Sequence, residues 1–106
     1  MRLVIIESPF SGDRQRNEAY LKACIRDCLE RGESPIASHV MYTAVLDDNL
    51  PDERELGIKA GFAWWKAADR IVFYTDLGWS NGMRDAFDRA ERRGDEWECR
   101  KLGGEW

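Results

Sequence analysis

The stretch Ile6-Glu7-Ser8-Pro9-Phe10-Ser11-Gly12-Asp13-Arg14-Gln15-Arg16 decides the fold. Before it, Arg2 to Ile6 is short, apolar and β-branched, and reads as a buried strand stopped by a turn cluster. After it, Asn17 to Arg31 reads as a helix. A strand that feeds a Ser/Pro/Gly loop and then a helix N-terminus is where α/β folds hold ligands. Free N–H groups and the positive end of the helix dipole face the space above the strand's carboxyl end.

Outward from this turn the pattern repeats. The first helix carries Tyr20, Leu21, Cys24, Ile25, Cys28 and Leu29, a paired stripe that suits a helix laid on a sheet, and Gly32 stops it. Ser34 to Ser38 is a short second strand with Pro35 at its start. His39 to Leu50 has no clear period and reads as a connector long enough to be functional, rich in His39, Tyr42, Thr43, Asp47 and Asp48. Pro51 opens a second helix whose first turn holds Asp52, Glu53 and Glu55.

That second helix is apolar on two sides. Leu56, Ala60, Ala63, Trp64 and Ala67 form one stripe, and Ile58, Phe62 and Trp65 form another. A helix on one side of a sheet needs only one. The Phe62/Trp65 side is therefore expected to meet a second subunit or a partner protein, giving a homo-oligomer through the second helix.

Asp69 to Tyr74 is the third strand and Thr75 to Trp79 its exit loop. Ser80 caps a third helix with a core stripe of Met83, Ala86, Phe87 and Ala90, ended by Gly94. Trp97 to Leu102 forms a fourth, edge strand. The β-α-β-α-β-α-β order predicts a compact Rossmann-like or flavodoxin-like α/β domain. Its sheet is mostly parallel, of four to five strands, flanked by helices. The strand order is expected to reverse between the first and third strands, so that their exit loops border one crevice.

The totals agree with one domain spanning residues 1–106, 43% hydrophobic and 34% charged. A net charge of −4 with interspersed signs offers no basic footprint for nucleic acid. No apolar run approaches the roughly 18 residues of a membrane helix, and the N-terminus reads as a strand rather than a signal peptide. Cys24, Cys28 and Cys99 are odd in number and lack Cys-x-x-Cys spacing, which suits a reducing compartment, so a cytoplasmic location is expected. With His39 as the only histidine, no metal site is expected, and no cofactor motif is present: there is neither a Walker loop nor a G-x-G-x-x-G.

The two exit loops share a character. Glu7, Ser8, Ser11 and Gly12 stand in the first, and Thr75, Asp76, Gly78, Ser80, Asn81 and Gly82 in the second. Small residues admit close backbone approach to a ligand, and a carboxylate accepts from ribose hydroxyls. Ordinary turn chemistry and capping account for Ser80 and Gly82 equally well.

The run Ser8-Pro9-Phe10-Ser11-Gly12-Asp13-Arg14-Gln15-Arg16-Asn17-Glu18-Ala19-Tyr20 resembles the first loop and helix of nucleoside 2-deoxyribosyltransferases. Asp76-Leu77-Gly78-Trp79-Ser80-Asn81-Gly82-Met83 resembles their second, Gly-Met-bearing loop. Among them the chain looks most like small phage-encoded members of the superfamily. The resemblance implies a nucleoside- or nucleotide-type ligand contacted by Pro9, Phe10, Arg16 and the two loops, in the host cytoplasm if the chain is phage-encoded. It also implies cleavage of an N-glycosidic bond by a glutamate directly after the Gly-Met, aided by an upstream aspartate.

Here that position is Arg84, which stays protonated and is no carboxylate nucleophile. Asp76 remains as a sugar-binding acid. Asp85, turned about 100° around the helix, and Glu7 are the substitute candidates for catalysis. Arg84 either reads a phosphate at the helix start or pairs with Asp88. His39 either meets a base or is satisfied within its loop, and Tyr42 and Trp79 either stack on a base or belong to the core. Three functions follow: a non-catalytic nucleotide binder such as a sponge for a host defence signal; an N-glycosidase or deoxyribosyltransferase using Glu7 or Asp85; or an interaction module working through Phe62 and Trp65.

Overall fold

The computed structural model describes all residues, Met1–Trp106. Its elements are β1 (Arg2–Glu7), α1 (Arg14–Glu30), β2 (Glu33–Ile36), α2 (Ser38–Thr43), α3 (Pro51–Ala63), β3 (Arg70–Tyr74), α4 (Asn81–Arg93) and β4 (Trp97–Arg100). A 3-10 turn, Trp65–Ala67, extends α3. The four strands are all parallel in the order β2-β1-β3-β4. The order reverses between β1 and β3, as the sequence predicts for a flavodoxin-like sheet.

The two central strands are buried on both faces, which is why they read as continuous apolar runs. Val4, Ile6, Val72 and Tyr74 point to one side and pack under Tyr20, Leu21, Cys24 and Cys28 of α1. Ile5, Ile71 and Phe73 point to the other and meet Trp65 together with Met83, Ala86 and Ala90 of α4. Ser80 caps α4 by accepting from the Met83 N–H, and Gly94 closes it in the left-handed region at φ 72°. No helix is long and apolar enough to cross a membrane.

Four expectations are corrected. The first helix begins at Arg14 rather than Asn17, because Asp13 caps it by accepting from the Arg16 N–H. Asn17 is instead buried one turn in, where its amide donates to the carbonyls of Phe10 and Ser11 and pins the first loop. The second strand runs earlier, Glu33–Ile36, with Pro35 tolerated because β2 is an edge. The connector after it holds a short helix, α2, which carries His39 and Tyr42.

The fourth correction concerns the two stripes of α3. Trp65 is 2% exposed in the core and Phe62 packs on it edge-on, so these two are committed to their own chain, while Ile58 of the same stripe stays exposed at the cleft. The Leu56 side faces outward, with Leu56 itself 56% exposed. Periodicity found both stripes; which one meets the sheet depends on the Ile5, Ile71 and Phe73 face beneath.

Arg100 of β4 forms a buried polar network that locks the first half of the chain to the last strand. Its guanidinium makes two 2.7 Å bonds to the Glu33 carboxylate, one of 2.7 Å to Glu98 and one of 3.2 Å to the Tyr74 hydroxyl. Tyr74 in turn donates to Asp27 of α1. The Arg100 hydrogen bond holds the Glu33 carboxyl below its ordinary range and, with help from Arg70, Glu98 at about 2. Removing one partner alone would strand a buried charge, at a cost of about 3–5 kcal/mol.

Candidate functional site

A cleft of about 390 Å3 opens above the carboxyl end of β1. The β1 exit loop, the N-terminal turn of α4 and the paired helices α2 and α3 form its walls. Most of the residues singled out in the sequence meet here: Glu7, Ser8, Phe10 and Ser11 from the first loop, His39 and Tyr42 from α2, and Ser80, Asn81, Gly82, Met83 and Asp85 from α4.

Glu7 is the last residue of β1, half-buried, and its carboxyl has no hydrogen-bond partner in the chain. Burial alone pushes its pKa up to about 8 from an ordinary 4.5, so it is mostly protonated at neutral pH. Next to it in sequence, the buried Ser8 places its hydroxyl 3.3 Å from Nε2 of His39. Burial lowers the His39 pKa to about 4 from an ordinary 6.5, which keeps the imidazole neutral. Phe10 meets the imidazole edge-on at 6.0 Å between ring centres. The three groups thus present an acid proton, a hydroxyl and a neutral imidazole, all uncharged donors or acceptors.

The opposite wall is the start of α4. The Asn81 and Gly82 N–H groups lie in its first turn, where a helix supplies no backbone acceptor, and the Ser80 side chain is already taken by Met83. The outer rim is acidic. Asp48 pairs with Arg54 at 3.0 Å, Glu53 accepts from the Asp47 N–H, and Asp85 stands exposed at the mouth. Arg54 is the only basic side chain lining the cleft. No cluster of three His, Cys, Asp or Glu side chains is placed to hold a metal ion.

Several expected residues stand outside. Asp76 is not a free sugar acid: it accepts from the Tyr20 hydroxyl at 2.6 Å and from the Leu102 and Gly103 N–H groups at 2.9 Å each. Burial works to raise its pKa, but these hydrogen bonds prevail and hold it below the ordinary value. Trp79 lies tilted over Phe73 and edge-on to Phe87, 5.3 and 5.7 Å away between ring centres, as part of an aromatic cluster. Gly78, at φ 84°, shapes the turn before it. Arg84 is exposed on α4 and faces neither the cleft nor Asp88 in an ion pair. Pro9, Gly12 and Arg16 do not line the cleft either; Gly12 turns the chain at φ 96° toward the Asp13 cap.

The α3 wall escaped the sequence reading, although its signal was present. Gly57 and Gly61 lie one turn apart in a helix, where glycine costs stability. A Cβ on Gly61 would stand 2.6 Å from the Ser38 hydroxyl oxygen, and one on Gly57 would meet Leu46 at 3.4 Å. The pair lets α2 lie close on α3, and so places His39 and Tyr42 over the cleft.

No curated protein and no solved structure matches the chain. A family model does match, over residues 2–100, from the start of β1 to the end of β4. The chain therefore belongs to the family described as domain of unknown function (DUF7768).

Proposed function

We propose that the cleft binds a nucleoside-type small molecule. The observation that carries this reading is the trio Glu7, Ser8 and His39, three neutral polar groups left largely uncommitted at the point where strand order reverses. Such groups suit the hydroxyls of a sugar or the edge of a base, and Phe10 and Tyr42 offer aromatic surface beside them. The likeness of both loops to nucleoside 2-deoxyribosyltransferases supports the same class. The acidic rim and the position of Arg84 outside the cleft favour an unphosphorylated ligand over a nucleotide.

A thermal-shift screen tests this with nucleosides, nucleoside mono- to triphosphates, cyclic dinucleotides and ADP-ribose. A ligand at 100 times its Kd stabilises by about 2.7 kcal/mol. Shifts are expected with nucleosides and are lost in Glu7→Ala and His39→Ala. A screen in which only phosphorylated compounds shift the protein, or none does, overturns the reading.

One observation favours catalysis as a second reading. Glu7, held protonated by burial, and the exposed Asp85 line the same cleft, and cleavage of a glycosidic bond uses two carboxyl groups facing one ligand. Chromatography of a bound nucleoside after incubation separates the two. Intact recovery supports a binder or sponge, whereas free base plus sugar, abolished by Glu7→Gln or Asp85→Asn, supports an N-glycosidase.

A further inference from the structure

Seven of the thirteen exposed large apolar side chains fall between residues 40 and 64, on or beside the α2–α3 pair. On a helix, residues two apart point in nearly opposite directions. His39 and Thr43 face the cleft, so Met41 faces away from it. Ile58 lines the cleft and Trp65 is core, so Leu56 and Ala63 face away as well, with the small Ala60 between them. This outer face is apolar along its middle and has nothing of its own chain upon it.

One flank of the stripe is charged in an ordered way. Asp52 and Glu55 occupy its N-terminal half, Lys59 and Lys66 its C-terminal half. All four are exposed, and none forms an ion pair within the chain. Two such helices packed in parallel about a two-fold axis would leave these flanks on opposite sides of the pair, where their charges do not meet. Turned antiparallel about a two-fold axis, the same flank of each helix lies on one side of the pair, with the acidic half of one beside the basic half of the other.

We propose that this face is the seat of a symmetric dimer of the chain, its two α3 helices packed antiparallel. Leu56 then meets Ala63 of the second copy, the alanines permit close approach of the helices, and Asp52 stands opposite Lys66 of the second copy. Self-complementarity of both the apolar stripe and the charges is what singles out a second copy as the occupant.

The test is sedimentation equilibrium of the full chain across the micromolar range. The parent is expected to dimerise, less tightly at high salt. Lys59→Glu/Lys66→Glu makes the flank wholly acidic, and Asp52→Lys/Glu55→Lys makes it wholly basic. Each double variant alone is expected to weaken association at least tenfold, and an equimolar mixture of the two to restore a dimer. Leu56→Asp should leave a monomer with an unchanged circular dichroism spectrum, since the side chain is exposed. A monomeric parent, double variants that dimerise like the parent, or a mixture that stays monomeric overturns the proposal.

Discussion

Glu7 and Asp76 mark the carboxyl ends of neighbouring central strands, Glu7 in register with Phe73 and Asp76 three residues beyond that. By position alone they are equivalent candidates for touching a ligand. Their surroundings make them opposites. Asp76 is saturated by a hydroxyl and two backbone N–H groups and is held ionised. Glu7 receives none, and burial keeps it protonated toward pH 8. The first carboxylate staples residues 102 and 103 to α1; the second is free to act on something that enters from outside. Chemical identity nominates a residue, and its unspent hydrogen-bonding capacity decides what it does.

The strongest way to break the comparison is to remove the staple. Asp76→Ala is expected to lower stability by about 2–4 kcal/mol, since charge-assisted bonds to three donors are lost. Urea denaturation should show this as a lower midpoint with little change in slope. Asp76→Asn should lose less, because it still accepts through one oxygen.

Glu7→Gln should act in the other direction. A folded pKa of about 8 against 4.5 unfolded means that stability is greatest below pH 4.5 and is lost as pH rises through about 8. The amide removes that loss, so the variant should gain about 1–3 kcal/mol at pH 7.5 and differ little at pH 4. A variant less stable than the parent at pH 7.5 would mean that Glu7 has a partner after all.

His39 supplies a smaller slope of opposite sign. Its folded pKa of about 4 lies below the ordinary 6.5, so stability is full above 6.5 and falls as acid is added. Between pH 6.5 and 5 the parent should lose about 1–2 kcal/mol through this group, and His39→Gln should flatten that part of the curve. The smallest effect belongs to Asp85→Asn at the exposed mouth, expected within 0.5 kcal/mol by thermal melting. Any change it makes in ligand retention then reports on the cleft rather than the fold.

What could be read in the sequence was what short-range patterning controls. The β-branched runs of β1 and β3, the Ser80 cap and the Gly94 stop are local features, and the alternation of elements carried them to the parallel sheet and its reversal point. The same local signal placed Glu7, Ser8, Ser11 and Gly82 beside one crevice. Asp76 was misjudged because its partners Tyr20, Leu102 and Gly103 lie 56, 26 and 27 residues away. Helix α2 was missed because six residues without a side-chain cap leave almost no periodic trace. The outward stripe of α3 was confused with the inward one because both have helical spacing, and only the sheet beneath distinguishes them.

The Arg100–Glu33 pair has a consequence for how the chain comes into being. A ribosome delivers Glu33 first, and its guanidinium partner follows 67 residues later. Until then β2 can pair with β1, but its first carboxylate lacks the guanidinium that hydrogen-bonds both its oxygens in the interior. A chain cut before Arg100 is therefore expected to leave the Glu33 end of β2 open to water, so that the last strand closes a part of the fold made long before it.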